Sequence, residues 1–180
     1  MIVCAGEIES FSYAKSIGIG LINPCINLSN LIQKQSPEQI IFVGTMGLYD
    51  ENLPLLGVYE SKSATQIEIS KLLNLSYSPL QNSILNTPKV NETDPQIIIN
   101  SSNYITQDSH ISREFLKLGL FGENMEFYSV LSTAKHYGVK AYGVFCATNH
   151  TNKNAHQDFI TNHAKAKQIL TNYLKNKGLI

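Results

Sequence analysis

The sequence predicts an α/β fold: a single domain, residues 1–180, with helices on both faces of a central mixed, mostly parallel sheet in three α/β/α layers. Two observations support this fold class. Short apolar runs bounded by turn residues alternate along the chain with longer segments of helical periodicity, which is the order of βαβ units. The length also suits one domain and is sufficient to bury a sizeable core.

Four short apolar runs are typical of buried strands. They span residues 1–5, 40–43, 97–99 and 141–146. The first run meets Gly6 at once and is far shorter than the core of a signal peptide, so we expect it to be the first strand. Residues 72–95 carry mainly turn signals, among them Ser78-Pro79 and Asp94-Pro95, and predict an irregular excursion.

Two segments predict helices that lead into strands. In residues 21–35, apolar side chains recur at helical spacing, and Pro24 is tolerated in the first turn. Residues 125–137 form a second predicted helix, which Gly138 ends just before the run at 141–146. This order predicts crossovers between parallel strands.

The third and longest predicted helix follows the last strand. Asn154 is its expected N-cap, with Gln157 three residues later, and Gly178 is its expected end. Its expected apolar face comprises Phe159, Ile160, Ala166, Leu170, Tyr173 and Leu174.

Charge and cysteine content disfavour several classes of function. Hydrophobic residues make up 43% of the chain and 14 basic groups balance 14 acidic ones, so neither disorder nor binding to nucleic acid is expected. Cys4, Cys25 and Cys146 lie in apolar segments without CxxC spacing, which indicates reduced thiols and a cytoplasmic protein. No run reaches the length of a membrane span, so no membrane partner is expected.

Few segments carry chemistry on their own. Glycine-bearing turns at residues 17–20, 43–47 and 119–122 let a ligand approach backbone amides, but such turns are common in α/β proteins. Glu126 stands at the start of a predicted helix, where a carboxylate suits the vicinal hydroxyls of a ribose. From this residue alone a structural role is the favoured interpretation, because a carboxylate stabilises a helix N-terminus.

Four motifs, in their order along the chain, resemble the nucleoside phosphorylase and nucleosidase family. They are Gly18-Ile19-Gly20, Val43-Gly44-Thr45-Met46-Gly47, Asn124-Met125-Glu126 and Ala147-Thr148-Asn149. In the family a Met-Glu pair is followed, across one helix and one strand, by a Ser-Asp pair, and Thr148-Asn149 stands at the matching offset without a gap. The resemblance covers nearly the whole chain and implies the family's α/β fold, in a shortened form.

The resemblance implies roles at the sugar and the base. Met125 and Glu126 would hold the ribose, with Glu126 bonding the hydroxyls and steadying an oxocarbenium-like sugar. Tyr104 would stack on the base, the backbone of Ile105 would contact it, and Asn149 would face N7 of the purine.

The resemblance also implies a site for the acceptor that attacks the sugar. Glu9 matches the nucleosidase glutamate that positions the attacking water, and Glu7 is the alternative match. Gly44 and Thr45 match the turn that holds phosphate or water, and Gly18 belongs to the same set. No cofactor is implied, inorganic phosphate is the co-substrate to consider, and the expected assembly is a homo-oligomer.

Two departures from the family concern the pocket wall and phosphate. Residues 10–16 replace a longer hairpin, so we expect a partner subunit to supply part of the wall. Phe42 stands where hexameric bacterial phosphorylases carry an arginine, and Arg113 is the only arginine of the chain. Phosphate would depend on Thr45, backbone amides and Lys15, which favours water as the acceptor.

The third departure is Asn149, which replaces an aspartate. An amide donates a hydrogen bond but cannot transfer a proton to the departing base. This predicts either lost activity or a 6-oxopurine substrate, since the 6-oxopurine-specific branch of the family has an asparagine at its base site. His150, His156 and His163 lack a carboxylate or thiolate at ligand spacing, so no metal is expected.

The leading hypothesis is cleavage of the N-glycosidic bond of a purine-type nucleoside, with ribosyl transfer to phosphate or water. The alternative is a catalytically impaired nucleoside-binding or interaction protein on the same fold. The matched spacing of the motifs disfavours a third hypothesis, an unrelated Rossmann-like domain.

Overall fold

The computed structural model describes residues 1–77, 85–86 and 97–180. Within these ranges the chain forms one mixed sheet of nine strands. The predicted excursion at residues 72–95 lies largely outside the described residues. The strands are β1 (Ile2–Cys4), β2 (Lys15–Ser16), β3 (Gln39–Leu48), β4 (Val58–Ser61), β5 (Ser63–Thr65), β6 (Leu85–Asn86), β7 (Ile98–Asn100), β8 (Gly122–Glu123) and β9 (Lys140–His150).

The helices pack on both faces of this sheet. A 3₁₀ turn at Glu7–Glu9 follows β1. None of the helices in the described ranges combines the length and the hydropathy needed to cross a lipid bilayer. The helices are α1 (Ile22–Gln35), α2 (Ile69–Leu72), α3 (Ser109–Lys117), α4 (Phe127–His136) and α5 (Ala155–Asn176).

The centre of the sheet is the parallel pair β3 and β9. Their pairing runs from Gln39 opposite Lys140 to Leu48 opposite His150. On the other edge of β3, β1 pairs in parallel along the first half and β8 pairs antiparallel at the end. β4 lies antiparallel on β9, while β5, β7 and β8 are mutually parallel. The predicted mixed, mostly parallel sheet is therefore confirmed.

The three layers follow from the alternation of side chains along β3. Ile40 and Phe42 pack with buried residues of α1 and α4 on one face. Ile41 and Val43 pack with buried residues of α5 on the other face. Because successive side chains of a strand point to opposite faces, a run that is apolar throughout is buried on both sides.

The two central strands are longer than predicted. The segments at 43–47 and 147–149, which the sequence analysis treats as following a strand, lie inside β3 and β9. The prediction ended each strand at the last strongly apolar residue. Pairing between the two strands instead continues through Gly44, Gly47 and Asn149, where backbone hydrogen bonds rather than apolar side chains extend the ladder.

Several short elements were missed, because a few residues do not establish a period. Strands β2, β4, β5 and β8 have two to four residues each. Helix α3 buries only Ser112 and Phe115. Its start is defined by Asp108, whose carboxylate accepts from the amides of His110 and Ile111.

The ends of the longer helices test the capping predictions. Gly138 and Gly178 both have positive φ and terminate α4 and α5 as predicted. Asn154 is the N-cap residue of α5, as predicted, but its side chain makes no capping bond. Its backbone amide donates to Oδ1 of Asn152 at 2.9 Å. Ile160 was misassigned to the apolar face of α5, since 58% of it is exposed.

Leu170 and Ile160 of α5 provide a matched test of this packing. We expect Leu170→Ala to lower the free energy of unfolding by about 2–5 kcal/mol, because a fully buried leucine leaves a cavity beneath the sheet. Ile160→Ala should change it by less than about 0.5 kcal/mol. Urea denaturation of both variants makes the comparison, and equal losses would contradict the burial described for α5.

Candidate active site

A cavity of about 240 Å³ opens at the carboxyl ends of β1, β3 and β9. These strands run in the same direction, so the segments that follow them meet at one edge of the sheet. The wall is mainly apolar with a few convergent polar groups, as in small-molecule sites. It comprises Ala5, Gly6, Ile8, Glu9, Ile19, Thr45, Met46, Gly47, Ser102, Tyr104, Ile105, Glu123, Asn124, Met125, Glu126, Thr148, Asn149, Ala155, His156 and Phe159.

Most of the residues predicted for the site lie in this wall, and two do not. Gly18 is outside it, and its amide donates to the carbonyl of Ala5 at 2.9 Å. Gly44 lies within β3, and a methyl group on it would come within 3.5 Å of Oε2 of Glu9. The closest atom to that position is Cε1 of Phe42, at 2.9 Å, so Gly44 leaves room for the Phe42 ring, and the amide of Gly18 is already bonded to the backbone.

Glu9 is the carboxylate that the first loop contributes to the cavity. It accepts hydrogen bonds from the amide of Thr45 at 3.1 Å and from the Thr45 hydroxyl. Burial raises the pKa of Glu9 above its usual range, and the Thr45 bonds oppose this shift. Glu7, in the same 3₁₀ turn, is exposed and does not line the cavity. Of the two alternative matches, only Glu9 lies in the cavity wall.

Glu126 is the second carboxylate in the cavity and is only 3% exposed. Its Oε1 accepts from the amide of Gly20 at 3.1 Å. Burial is the main cause that raises the pKa of Glu126 to about 8, and the nearby charge of Glu9 adds to it. Burial therefore favours the protonated form of Glu126.

Asn124 holds Glu126 in place, although the sequence analysis gave it no role. Its Oδ1 accepts from the amides of Glu126 at 2.9 Å and Phe127 at 3.0 Å. Its Nδ2 donates to the carbonyl of Thr45 at 3.0 Å. One side chain therefore caps α4 and ties its start to β3.

Asn149 faces the cavity from β9. A register shift beside Met46 brings Asn149 opposite Gly47. Its Oδ1 accepts from the hydroxyl of Thr148 at 2.9 Å, and its Nδ2 donates to the carbonyl of His150 at 3.2 Å. Because an amide nitrogen carries two protons, one donor remains for a ligand.

Aromatic and aliphatic side chains complete the wall. Tyr104 and Ile105 lie on the rim, 69% and 52% exposed. Phe159, predicted as part of the apolar face of α5, lines the cavity together with His156. Neither was predicted as a site residue, and the helical period of α5 does not distinguish a core position from a cavity position.

Cationic side chains do not contribute to the wall in the described part of the chain. Lys15 is exposed and donates to the side chain of Gln35. Arg113 is exposed on α3. The described residues also contain no group of three or more His, Cys, Asp or Glu side chains able to hold a metal ion.

Comparison with known proteins relates this geometry to solved structures. No family model matches the sequence, and no curated protein matches it either. The solved structures include 5′-methylthioadenosine/S-adenosylhomocysteine nucleosidase from Streptococcus pneumoniae with a transition-state inhibitor, at a TM-score of 0.76 and 11% identity over 96% of this chain and 95% of that one.

Two proteins of Helicobacter pylori have the same fold. Futalosine hydrolase matches with a TM-score of 0.78 and 14% identity, over 97% of this chain and 94% of that one. An aspartate-to-asparagine variant of methylthioadenosine nucleosidase, with 5′-methylthioadenosine in its active site, has a TM-score of 0.76 and 14% identity, over 91% and 78% of the two chains. The chain thus has the same fold as these nucleosidases and futalosine hydrolase, which agrees with the fold that the resemblance implies.

The buried carboxyl of Glu126 predicts how stability depends on pH. Its pKa is about 8 in the folded protein against a reference value of 4.5, so between these values the folded state binds more protons than the unfolded state. Its contribution is complete below pH 4.5 and is lost as the pH rises through about 8, with a slope of up to about 1.4 kcal/mol per pH unit.

Glu126→Gln should therefore flatten the decline of the free energy of unfolding across that window. Urea denaturation at a series of pH values measures the decline. Glu7→Gln, which changes an exposed carboxylate near the same turn, should leave the wild-type slope unchanged. An unaltered slope in Glu126→Gln would contradict the burial of this carboxyl.

Proposed function

We propose that this protein is a nucleosidase that hydrolyses the N-glycosidic bond of a purine-type nucleoside. The observation that carries the proposal is the convergence of Glu9, Glu126 and Asn149 on one largely apolar cavity. Two carboxylates suit the sugar and the attacking water, and the amide suits the departing base. The nucleosidase and hydrolase names of the structural neighbours support the same class of reaction.

Glu126 would bind the ribose. Its ionised carboxylate accepts hydrogen bonds from both hydroxyls of a vicinal diol, with Met125 beside it in the wall. Since burial favours the protonated form, binding of the diol to the ionised form would release a proton. The resulting negative charge then stabilises the positive charge that develops on the sugar as the bond breaks.

Glu9 would activate the water. The amide and hydroxyl of Thr45 orient its carboxylate, and burial raises its pKa toward the range in which a carboxylate accepts a proton efficiently. The attacking water would bond to C1′ through its oxygen and transfer one proton to Glu9. The electron pair of the broken bond would leave with the base.

Water is favoured over phosphate by the charge of the cavity. Phosphate binding normally uses arginine or lysine, and neither type lines the cavity among the described residues. Glu9 and Glu126 would in addition repel a dianion placed near Thr45. Purine specificity, a cytoplasmic location and a homo-oligomeric assembly remain predictions from the sequence.

A nucleoside-binding protein without catalysis is the second candidate. Asn149 favours it, because an amide cannot protonate the leaving base. Such a protein would use the same cavity and would bind a nucleoside without releasing base.

Base release separates the candidates and identifies the acceptor. We expect purified protein to release base from at least one of inosine, guanosine, adenosine and methylthioadenosine, at a rate that phosphate does not change. Glu9→Gln should lower kcat by about 10²- to 10⁴-fold, because the general base is lost. Glu7→Gln is the control and should match the wild type. Release that requires phosphate would indicate a phosphorylase, and bound nucleoside without release would indicate the second candidate.

Tyr104 tests where the base binds. Tyr104→Ala should raise KM by roughly 5- to 150-fold, since stacking of a base on an aromatic ring contributes about 1–3 kcal/mol. The effect on kcat should be small. Tyr77→Ala removes another highly exposed tyrosine, outside the cavity wall, and should leave KM unchanged. Equal KM values in the two variants would place the base elsewhere.

A further inference from the structure

Glu123 is a carboxyl in the cavity wall that the reaction above does not use. Its Oε1 accepts from the amide of Thr106 at 2.8 Å. Its Oε2 accepts from the hydroxyl of Thr106 at 2.6 Å and from the hydroxyl of Tyr49 at 3.1 Å. Each carboxylate oxygen has two lone pairs, so Oε1 retains one position for a proton or a ligand donor.

Glu123 and Asn149 lie on the same row of the sheet. Gly47 of β3 pairs with Glu123 of β8 on one side and with Asn149 of β9 on the other. A methyl group on Gly47 would lie 2.9 Å from Nδ2 of Asn149 and 3.5 Å from Cγ of Glu123. Both side chains therefore lie beside the glycine on one face of the sheet, together with the methyl group of Thr151, whose Cγ2 would lie 3.0 Å from the same position. Both Glu123 and Asn149 also line the cavity.

We propose that Glu123 is the general acid of the reaction and supplies the proton that Asn149 cannot. The proposal rests on the proposed function and extends it. As the bond between C1′ and N9 breaks, its electron pair goes to the base, and the carboxyl proton of Glu123 goes to N7. Glu9 takes a proton from the attacking water, after which Glu9 returns a proton to solvent and Glu123 regains one.

The side chains of Glu123 and Asn149 together also determine which base can bind. A 6-oxopurine presents two acceptors, N7 and O6, on one edge, whereas a 6-aminopurine presents one acceptor and one donor there. The protonated carboxyl of Glu123 and the free amide proton of Asn149 are two donors. The Oδ1 of Asn149 already accepts from Thr148. Inosine- or guanosine-type nucleosides are therefore the substrate class.

The environment of Glu123 supports a protonated carboxyl. Burial is the largest influence and raises its pKa above the usual range, while the bonds from Thr106 and Tyr49 lower it in part. A general acid needs a pKa close to the working pH, and a carboxyl in a largely apolar wall is the usual way to obtain one.

The first experiment measures turnover of inosine as a function of pH. Glu123→Gln should lower kcat by about 10²- to 10⁴-fold and remove the loss of kcat on the alkaline side of the wild-type profile. Glu123→Gln combined with Asn149→Asp should recover at least tenfold of that loss, because the acid returns on the other side of Gly47.

A control variant, Thr106→Val, distinguishes two roles of Glu123. Glu123 could act as a general acid, or it could only hold in place the loop that carries Tyr104. Thr106→Val removes the hydrogen bond from the Thr106 hydroxyl to Glu123. The carboxyl of Glu123 and its hydrogen bond from the backbone amide of residue 106 are kept. We expect a change in KM with kcat within a few-fold of the wild type. Equal losses of kcat in Thr106→Val and Glu123→Gln, or an unchanged alkaline limb in Glu123→Gln, would overturn the proposal.

Binding of free hypoxanthine keeps the proposal testable even if the wild type releases no base. Calorimetry should show wild-type affinity falling as the pH rises, and Glu123→Gln should make affinity independent of pH. Absence of turnover with this binding pattern would refute the nucleosidase and the general-acid role together, and would leave Glu123 only as a hydrogen-bond donor to the base. The same pH dependence in both proteins would refute the role of Glu123.

Discussion

The parallel pairing of β3 with β9 is the constraint on which the rest of the molecule depends. Apolar residues along β3 fix which face receives α1 and α4 and which receives α5. The same pairing sets which residues meet at the carboxyl ends of the strands. There the ladder shifts register beside Met46, so that Asn149 rather than Thr148 stands opposite Gly47. Irregularities of this kind re-aim side chains, and here the one that is re-aimed faces the cavity.

Three carboxyl groups line the same cavity, and burying them together is unfavourable for the free energy of folding. Burial raises the pKa of Glu9, Glu123 and Glu126, which means that each group is less stable in its charged form than it would be in water. The surrounding donors reduce this cost without removing it. Each carboxyl also accepts a hydrogen bond from a backbone amide, of Thr45, Thr106 or Gly20, so these residues serve the structure as well as the chemistry of the cavity.

The sequence contains strong signals for the elements that pack against many neighbours. α1, α4, β3 and β9 were predicted because their apolar periods extend over several residues, and the motif at Met125-Glu126 directed attention to the correct edge of the sheet. Glu123 was not predicted, although it lies only two residues before Met125. Glu123 reaches the site because β8 pairs with β3 at Gly47, which is 76 residues away in the sequence. No pattern in the residues around Glu123 indicates that contact. Asn124 was missed for the same reason, since its bond to the Thr45 carbonyl exists only in the folded sheet.

Asn149 need not indicate a site that has lost its chemistry. A proton for the departing base can come from any carboxyl that reaches the same edge of the base. In the row of Glu123, Gly47 and Asn149, a carboxyl lies on one side of the glycine and an amide on the other. Glu123 also holds the loop at Thr106, because its two oxygens accept two hydrogen bonds from Thr106 and one from Tyr49, and the single oxygen of an amide could not accept all of them. The carboxyl adds one property that an amide lacks, a proton it can transfer. Asn149 lacks such a proton. An acid on β8 and an amide on β9 would explain together why residue 149 is an asparagine and why Glu123 is a buried carboxyl.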